Sequence, residues 1–273
     1  MRITDIGMSK NIGTLLKVIT RLRDPESGCP WDIKQDFNSI APYTIEEAYE
    51  VAQAIQDSDM NALRDELGDL LLQVVYHAEM AREAGDFDFD DVAAGISDKM
   101  IRRHPHVFGI AKTTDGNHYN LAWEAQKANE RSAQAKKNNK ASSALDGVAL
   151  ALPALMRADK LQKRAARLGF DWQDTGPVVE KISEELAEID DARLDSGNSE
   201  ELSLECGDLL FSCVNLVRHM GVDAENALKQ SNMKFEERFH RLEALIADEG
   251  LQIEKMSLEE LELIWKRVKS EES

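Results

Sequence analysis

Apolar residues recur along this chain in steps of three and four, the period of one helix face. Leu63, Leu67, Leu70, Leu71, Val74 and Val75 form one such stripe. Leu202, Cys206, Leu209, Leu210, Cys213 and Val214 form a second at the same spacing. No sustained alternation of Val, Ile or Thr marks a strand, so the pattern predicts an all-α chain. Gly and Pro punctuate it. In the first half a helix is expected over 12–23, then a breaker-rich turn from Asp24 to Asp32. The next helix should start near Tyr43-Thr44, where Thr44 and Glu47 have capping-box spacing, and end before Asp57. Further helices are expected over 60–84, stopped at Gly85, over 89–103, stopped by His104-Pro105, and over 120–131. The second half repeats the plan, with helices expected over 153–167, 176–195, 200–220, 223–247 and 257–268.

The repeat carries acids as well as the stripe. Glu46-Glu47-Ala48-Tyr49-Glu50 precedes Glu66-Leu67-Gly68-Asp69, and Glu184-Glu185-Leu186-Ala187-Glu188 precedes Glu205-Cys206-Gly207-Asp208. Glu185 lies 138 residues beyond Glu47, and Glu205 lies 139 beyond Glu66, so one residue separates the two registers. Carboxylates three residues apart share a helix face. One such pair is ordinarily a solvated surface. The same acids in the same register beside the same stripe, twice, point instead to four carboxylates aimed at one spot. Oxygen donors without His or Cys suit a hard cation such as Mg²⁺.

Composition narrows the picture. A chain of 273 residues suits two domains, and the repeat makes two similar halves the natural split. Residues 132–144, rich in Lys, Asn, Ser and Ala without periodicity, read as a polar linker between domains at 1–131 and 145–273. The net charge of −18 argues against nucleic-acid polymers but leaves room for a nucleotide held through metal and local cations. Cys29, Cys206 and Cys213 lack metal-ligand spacing, and the last two fall on the stripe as small core residues. No signal-like or membrane-length apolar run occurs. A cytoplasmic protein without membrane contact is expected.

A cation-binding carboxylate cluster favours metal-assisted hydrolysis of phosphate anhydrides. Glu184, beside Glu185 but on another helix face, is a candidate proton acceptor. Lys234 and Arg238, four apart, can hold phosphates; Lys99 and Arg103 repeat their spacing in the first half. Lys181 precedes the second acid cluster, where the first half has Tyr43. Trp265 is either a core-edge aromatic or a platform for a base. A carboxylate-bridged di-iron bundle needs Glu-x-x-His on two helices, and Glu237 to His240 is the only such motif. His77 and His219 sit at nearly matching places without ligand-spaced partners.

Taken together, these residues resemble the MazG family of nucleoside triphosphate pyrophosphohydrolases. The resemblance rests on the doubled acidic motif, on Arg23 to Asp32, on Tyr43 to Val51, on Gly207 to Phe211 with Asn215 and Arg218-His219, on Lys234 to Phe239, and on the Trp265 segment. It implies four-helix-bundle-like sites formed in a homodimer. It implies Mg²⁺-dependent hydrolysis of NTPs or dNTPs to the monophosphate and pyrophosphate, with Mn²⁺ as an alternative ion, in the service of nucleotide-pool housecleaning. By motif position, Glu185, Glu188, Glu205 and Asp208 would bind metal. Lys181, Lys234 and Arg238 would hold the triphosphate, and Trp265 would face the nucleotide. The second half would be catalytic and the first structural or weakly active, with Glu47, Glu50, Glu66 and Asp69 as a second metal site. The rival readings are a regulatory module that binds nucleotide without turnover and a purely structural helical dimer.

Overall fold

The computed structural model describes residues 10–108, 143–194 and 199–271. Across them the chain is helical, with no strand. It divides into two compact units, residues 1–123 and 124–273. The point of division, the helix expected over 120–131 and the linker up to 142 lie outside the described residues.

The first unit consists of α1 (Lys10–Leu22), α2 (Phe37–Gln56), α3 (Met60–Ala84), α4 (Phe89–Arg103) and the short α5 (Pro105–Phe108). α2 and α3 form a hairpin, and α1 packs on α3. Ile19, Ile40, Val75, Tyr76 and Met80 make the core between them. Burying a side chain such as Val75 or Ile19 contributes about 1.5–3 kcal/mol. Asp59 starts α3 by accepting from the backbone N–H groups of Asn61 and Ala62. Gly85, at φ 79°, ends it in the left-handed conformation.

α2 departs from expectation. It begins at Phe37, six residues before Tyr43, capped by Asp36 in a reciprocal box with Ser39, and it carries Pro42 inside. Pro42 removes one helical hydrogen bond, but Ile40 is buried in the core, and that burial holds the first turn of the helix in place. Thr44 is therefore not a cap. Its hydroxyl lies 3.0 Å from His77 Nε2, and His77 stacks on Phe37. Between α1 and α2, Gly28 sits where a Cβ would strike the backbone of Leu22 and Asp24.

The second unit consists of α6 (Ala154–Ala166), α7 (Gly176–Leu194), α8 (Ser199–His219), α9 (Ala224–Asp248) and α10 (Leu258–Ser270). α7 and α8 pair as α2 and α3 do, and α6 lies against α8 and α9. α9 and α10 close around Leu242, Ile246 and Val268. Ser257 caps α10 in a box with Glu260.

The stripes are only partly internal. Val75 and Val214 are buried, whereas Leu67, Leu71, Val74 and Leu210 are exposed. Cys206, expected in the core, is exposed, and Cys213 is half-buried. The physical reason is that the stripe is wider than the contact each hairpin makes within its own unit, so its outer edge faces away.

Candidate active site

The periodicity that pairs α7 with α8 also sets the acids. Glu185 on α7 meets Glu205 and Asp208 on α8, with one carboxylate oxygen from each within 4.8 Å of the others. Glu47 on α2 meets Glu66 and Asp69 on α3 in the same way. Each expected quartet is thus three acids plus a neighbour. Glu188 hydrogen-bonds Glu185 and feels Glu205, and Glu50 stands likewise to Glu47 and Glu66.

The two clusters differ in their countercharge. Lys181 Nζ lies 2.9 Å from Glu184, 2.9 Å from Glu185 and 4.0 Å from Glu188. Its hydrogen bonds to Glu184 and Glu185 hold its pKa above the ordinary lysine value. Burial pushes the Glu188 carboxyl up, and Lys181 opposes the rise. In the first unit, where Tyr43 takes the lysine's place, burial and then the charges of Asp69, Glu50 and Glu66 push Glu47 up. Burial and then Glu50 and Asp69 do the same to Glu66.

A cavity of about 760 Å³ opens beside the second cluster. Lys181, Glu185 and Asp208 line one part of it, and Phe170, Trp172 and Phe211 supply aromatic walls. Gln162, Ser212 and Asn215 are buried polar side chains on the same lining. Gln162 donates through Nε2 to the Phe211 carbonyl at 2.8 Å. Its Oε1 is buried without a hydrogen-bond partner among the described residues. Arg218 donates to Asp171 at 2.6 Å and to Asn215 at 2.5 Å, and His219 Nε2 lies 3.0 Å from Asp171. This network ties the loop after α6 to the end of α8. Burial raises the Asp171 carboxyl, but Arg218 and His219 outweigh it and hold it below the usual range.

The first unit carries different residues at the corresponding positions. At the offset of 139 that relates Asp69 to Asp208, Asn215 matches Tyr76 and Arg218 matches Glu79. Tyr76 is buried in the core, with its hydroxyl 3.0 Å from the Asp32 carbonyl oxygen. Glu79 is buried and paired with Arg82 at 2.7 Å. Arg23 bridges Glu83 at 2.7 Å and donates to the Asp32 carbonyl at 2.6 Å.

Of the residues singled out from sequence, the structure brings together Lys181, Glu184, Glu185, Glu188, Glu205 and Asp208. Lys234 is exposed and Arg238 half-buried on α9, and neither is among the residues lining the cavity. Trp265 packs against the Leu242, Ile246 and Val268 cluster and lies 5.4 Å from the Phe235 ring. Gln162, Asp171, Trp172, Asn215 and Arg218 were not singled out as site residues. The signal for two of them was available: Asn215 and Arg218 are among the residues that carry the family resemblance.

Comparison with known proteins agrees with this geometry. Residues 35–108 match the family model of the MazG nucleotide pyrophosphohydrolase domain. Residues 155–234 match the model of phosphoribosyl-ATP pyrophosphohydrolase. The chain is 50% identical over 262 residues to the nucleoside triphosphate pyrophosphohydrolase of Escherichia coli K12, covering 96% of this chain and 98% of that one. The chain belongs to the MazG family of nucleoside triphosphate pyrophosphohydrolases. Another MazG relative, the nucleoside triphosphate pyrophosphohydrolase/pyrophosphatase MazG of Thermotoga maritima, is 44% identical over 255 residues, covering 93% of this chain and 94% of that one. A shorter match joins 52% of this chain to 41% of the nucleoside triphosphate pyrophosphohydrolase of Mycobacterium tuberculosis, at 38% identity. Each MazG acid cluster lies inside a matched segment. Among the described residues no helix is long and apolar enough to cross a membrane.

Proposed function

We propose that this chain hydrolyses nucleoside triphosphates, ribo- or deoxyribo-, to the monophosphate and pyrophosphate at the cluster of its second unit. The observation that carries the proposal is the convergence of Glu185, Glu205 and Asp208 at a cavity that Lys181 also lines. Three carboxylates drawn from two helices, with no nitrogen or sulfur donor, fit a hard divalent ion. Mg²⁺ is the proposed ion, with Mn²⁺ able to replace it. Glu185, Glu205 and Asp208 would hold it. When bound, it neutralises phosphate charge and acidifies water.

The chain's own residues do the rest. Lys181, at the edge of the cluster, neutralises the triphosphate as it enters; Lys234 and Arg238, one turn apart on α9, add countercharge. The nucleoside lies in the cavity between Phe170, Trp172 and Phe211. Water attacks the α-phosphorus, the bond to the bridging oxygen breaks, and pyrophosphate leaves. Glu188 takes the proton from the water, because it hydrogen-bonds Glu185 beside the cluster, whereas Glu184 is held by Lys181 at 2.9 Å. Aromatic walls, on which any base can stack, suit broad substrate acceptance and a role in clearing unwanted nucleotides. Trp265, packed against the α9–α10 core, is assigned to the edge of the site.

We place catalysis in a C-terminal domain from about residue 145 and a structural role in the N-terminal domain, where Tyr76 and Glu79 occupy the cavity positions. The exposed outer stripes, Leu67, Leu71 and Val74 on α3 and Leu210 on α8, are the faces a homodimer would cover. A cytoplasmic location fits the substrate. The test is pyrophosphate release from a mixed NTP and dNTP panel with Mg²⁺, Mn²⁺ or EDTA. Metal-dependent release of monophosphate and pyrophosphate in equal amounts is expected. Binding without turnover would instead establish a regulatory module.

A further inference from the structure

Lys181 stands one turn before Glu184 and Glu185 and two before Glu188, and its ammonium bonds both Glu184 and Glu185, so Glu184 shares this face rather than the separate one expected for it. Its ammonium lies 2.9 Å from Glu185. That carboxylate is 4% exposed and is also the one α7 contributes to the three-acid cluster. The same buried carboxylate is therefore offered to two cations, an internal one and an external one. A dication on the cluster and an ammonium at hydrogen-bond distance from it repel each other. The lysine is free to yield. Its side chain is 32% exposed, it has a flexible four-carbon stem, and it lines the cavity as well as the cluster.

The first unit serves as an internal comparison: its cluster of Glu47, Glu66 and Asp69 has Tyr43 at the lysine's register, so that position supplies no ammonium.

We propose that Lys181 is a built-in surrogate for the metal. It holds the carboxylates assembled, yields its place when a divalent ion enters, and carries its charge to the triphosphate. Metal and nucleotide binding become coupled through one side chain: metal displaces the lysine, and the displaced lysine receives the phosphates. This rests on the metal-dependent reading above and adds to it a cost to binding metal alone.

The experiment measures Mn²⁺ affinity of the full chain, without nucleotide, from the EPR signal of the free ion. Lys181→Met, Lys181→Arg and Lys163→Met are compared with the unsubstituted protein, each checked by circular dichroism. Lys163 pairs with Asp159 on α6 and supplies a control for lost charge. Lys181→Met should bind Mn²⁺ about tenfold more tightly, within the usual range of coupling between sites. At saturating Mn²⁺ it should bind an α,β-methylene triphosphate analogue about tenfold more weakly. Lys181→Arg should restore Mn²⁺ affinity towards the starting value, and Lys163→Met should leave it unchanged. Unchanged or weaker Mn²⁺ binding in Lys181→Met overturns the proposal. So does an equal gain in Lys163→Met, or undiminished analogue binding in Lys181→Met. If the unsubstituted protein binds no Mn²⁺, the metal-dependent function itself falls, which is a separate outcome.

Discussion

Replacing Arg218 by Met tests the network that ties the cavity loop to α8. The arginine side chain is 11% exposed and Asp171 is 21% exposed, at 2.6 Å. Breaking a fully buried pair by removing one partner costs about 3–5 kcal/mol. Asp171 is partly solvated and keeps His219 at 3.0 Å, which lowers the expected loss to about 2 kcal/mol, or roughly thirtyfold in the folding equilibrium. The pH dependence gives the sign. Burial raises Asp171, but Arg218 and His219 hold its folded pKa below the ordinary value. A depressed carboxyl contributes stability that is present above its unfolded pKa of about 3.9 and is lost as pH falls through the folded value. The variant lacks most of that depression. The gap between variant and parent should therefore be full near pH 7 and shrink below about pH 4. Urea unfolding followed by tryptophan fluorescence measures it, since Trp172 adjoins Asp171. A gap below about 0.5 kcal/mol at neutral pH, within the range of ordinary surface substitutions, would refute the reasoning. A gap that is the same near pH 7 and pH 3 would refute it too.

Further outcomes are expected. Glu185→Ala or Asp208→Ala should lower kcat/KM by at least about a hundredfold, since metal-assisted charge stabilisation supplies several kcal/mol, while the helical circular dichroism persists; near-normal turnover would remove these residues from the site. Glu188→Ala should abolish hydrolysis while Glu50→Ala leaves most of it, and Arg238→Ala should weaken turnover more than Arg103→Ala. Equal damage from the two glutamate changes would end the assignment of catalysis to the second unit. Light scattering at micromolar protein should give twice the chain mass of 30.6 kDa, and a monomer mass would contradict the homodimer.

The helices and acids were legible because both depend on local spacing. Glu185, Glu205 and Asp208 sit where a 3.6-residue period places them, and the stop at Gly85 is a backbone signal. The ion pair between Lys181 and Glu185 follows the same four-residue spacing but was not among the expectations, which gave Lys181 to the phosphates. The start of α2 was misplaced because the burial of Ile40 overrides the local penalty of Pro42. The outward position of Cys206 was missed because periodicity shows that a stripe exists but not how much of it a neighbour covers. The cavity was harder still. Gln162, Trp172 and Asn215 belong to α6, a loop and α8, and no spacing rule connects residues that meet only through tertiary packing.

Gly28 has a consequence for how this sequence can drift. A Cβ there would meet backbone rather than a side chain that can turn aside, so no rotamer change elsewhere relieves the clash. Gly68 and Gly207, beside the acids, have open space within 4 Å, and alanine there would favour the isolated helix by about 1 kcal/mol. In a saturation library position 28 should be a blank column, whereas 68 and 207 should fill wherever folding alone is selected. Depletion at 68 or 207 under selection for activity would separate the demands of the reaction from those of the fold at single-residue resolution.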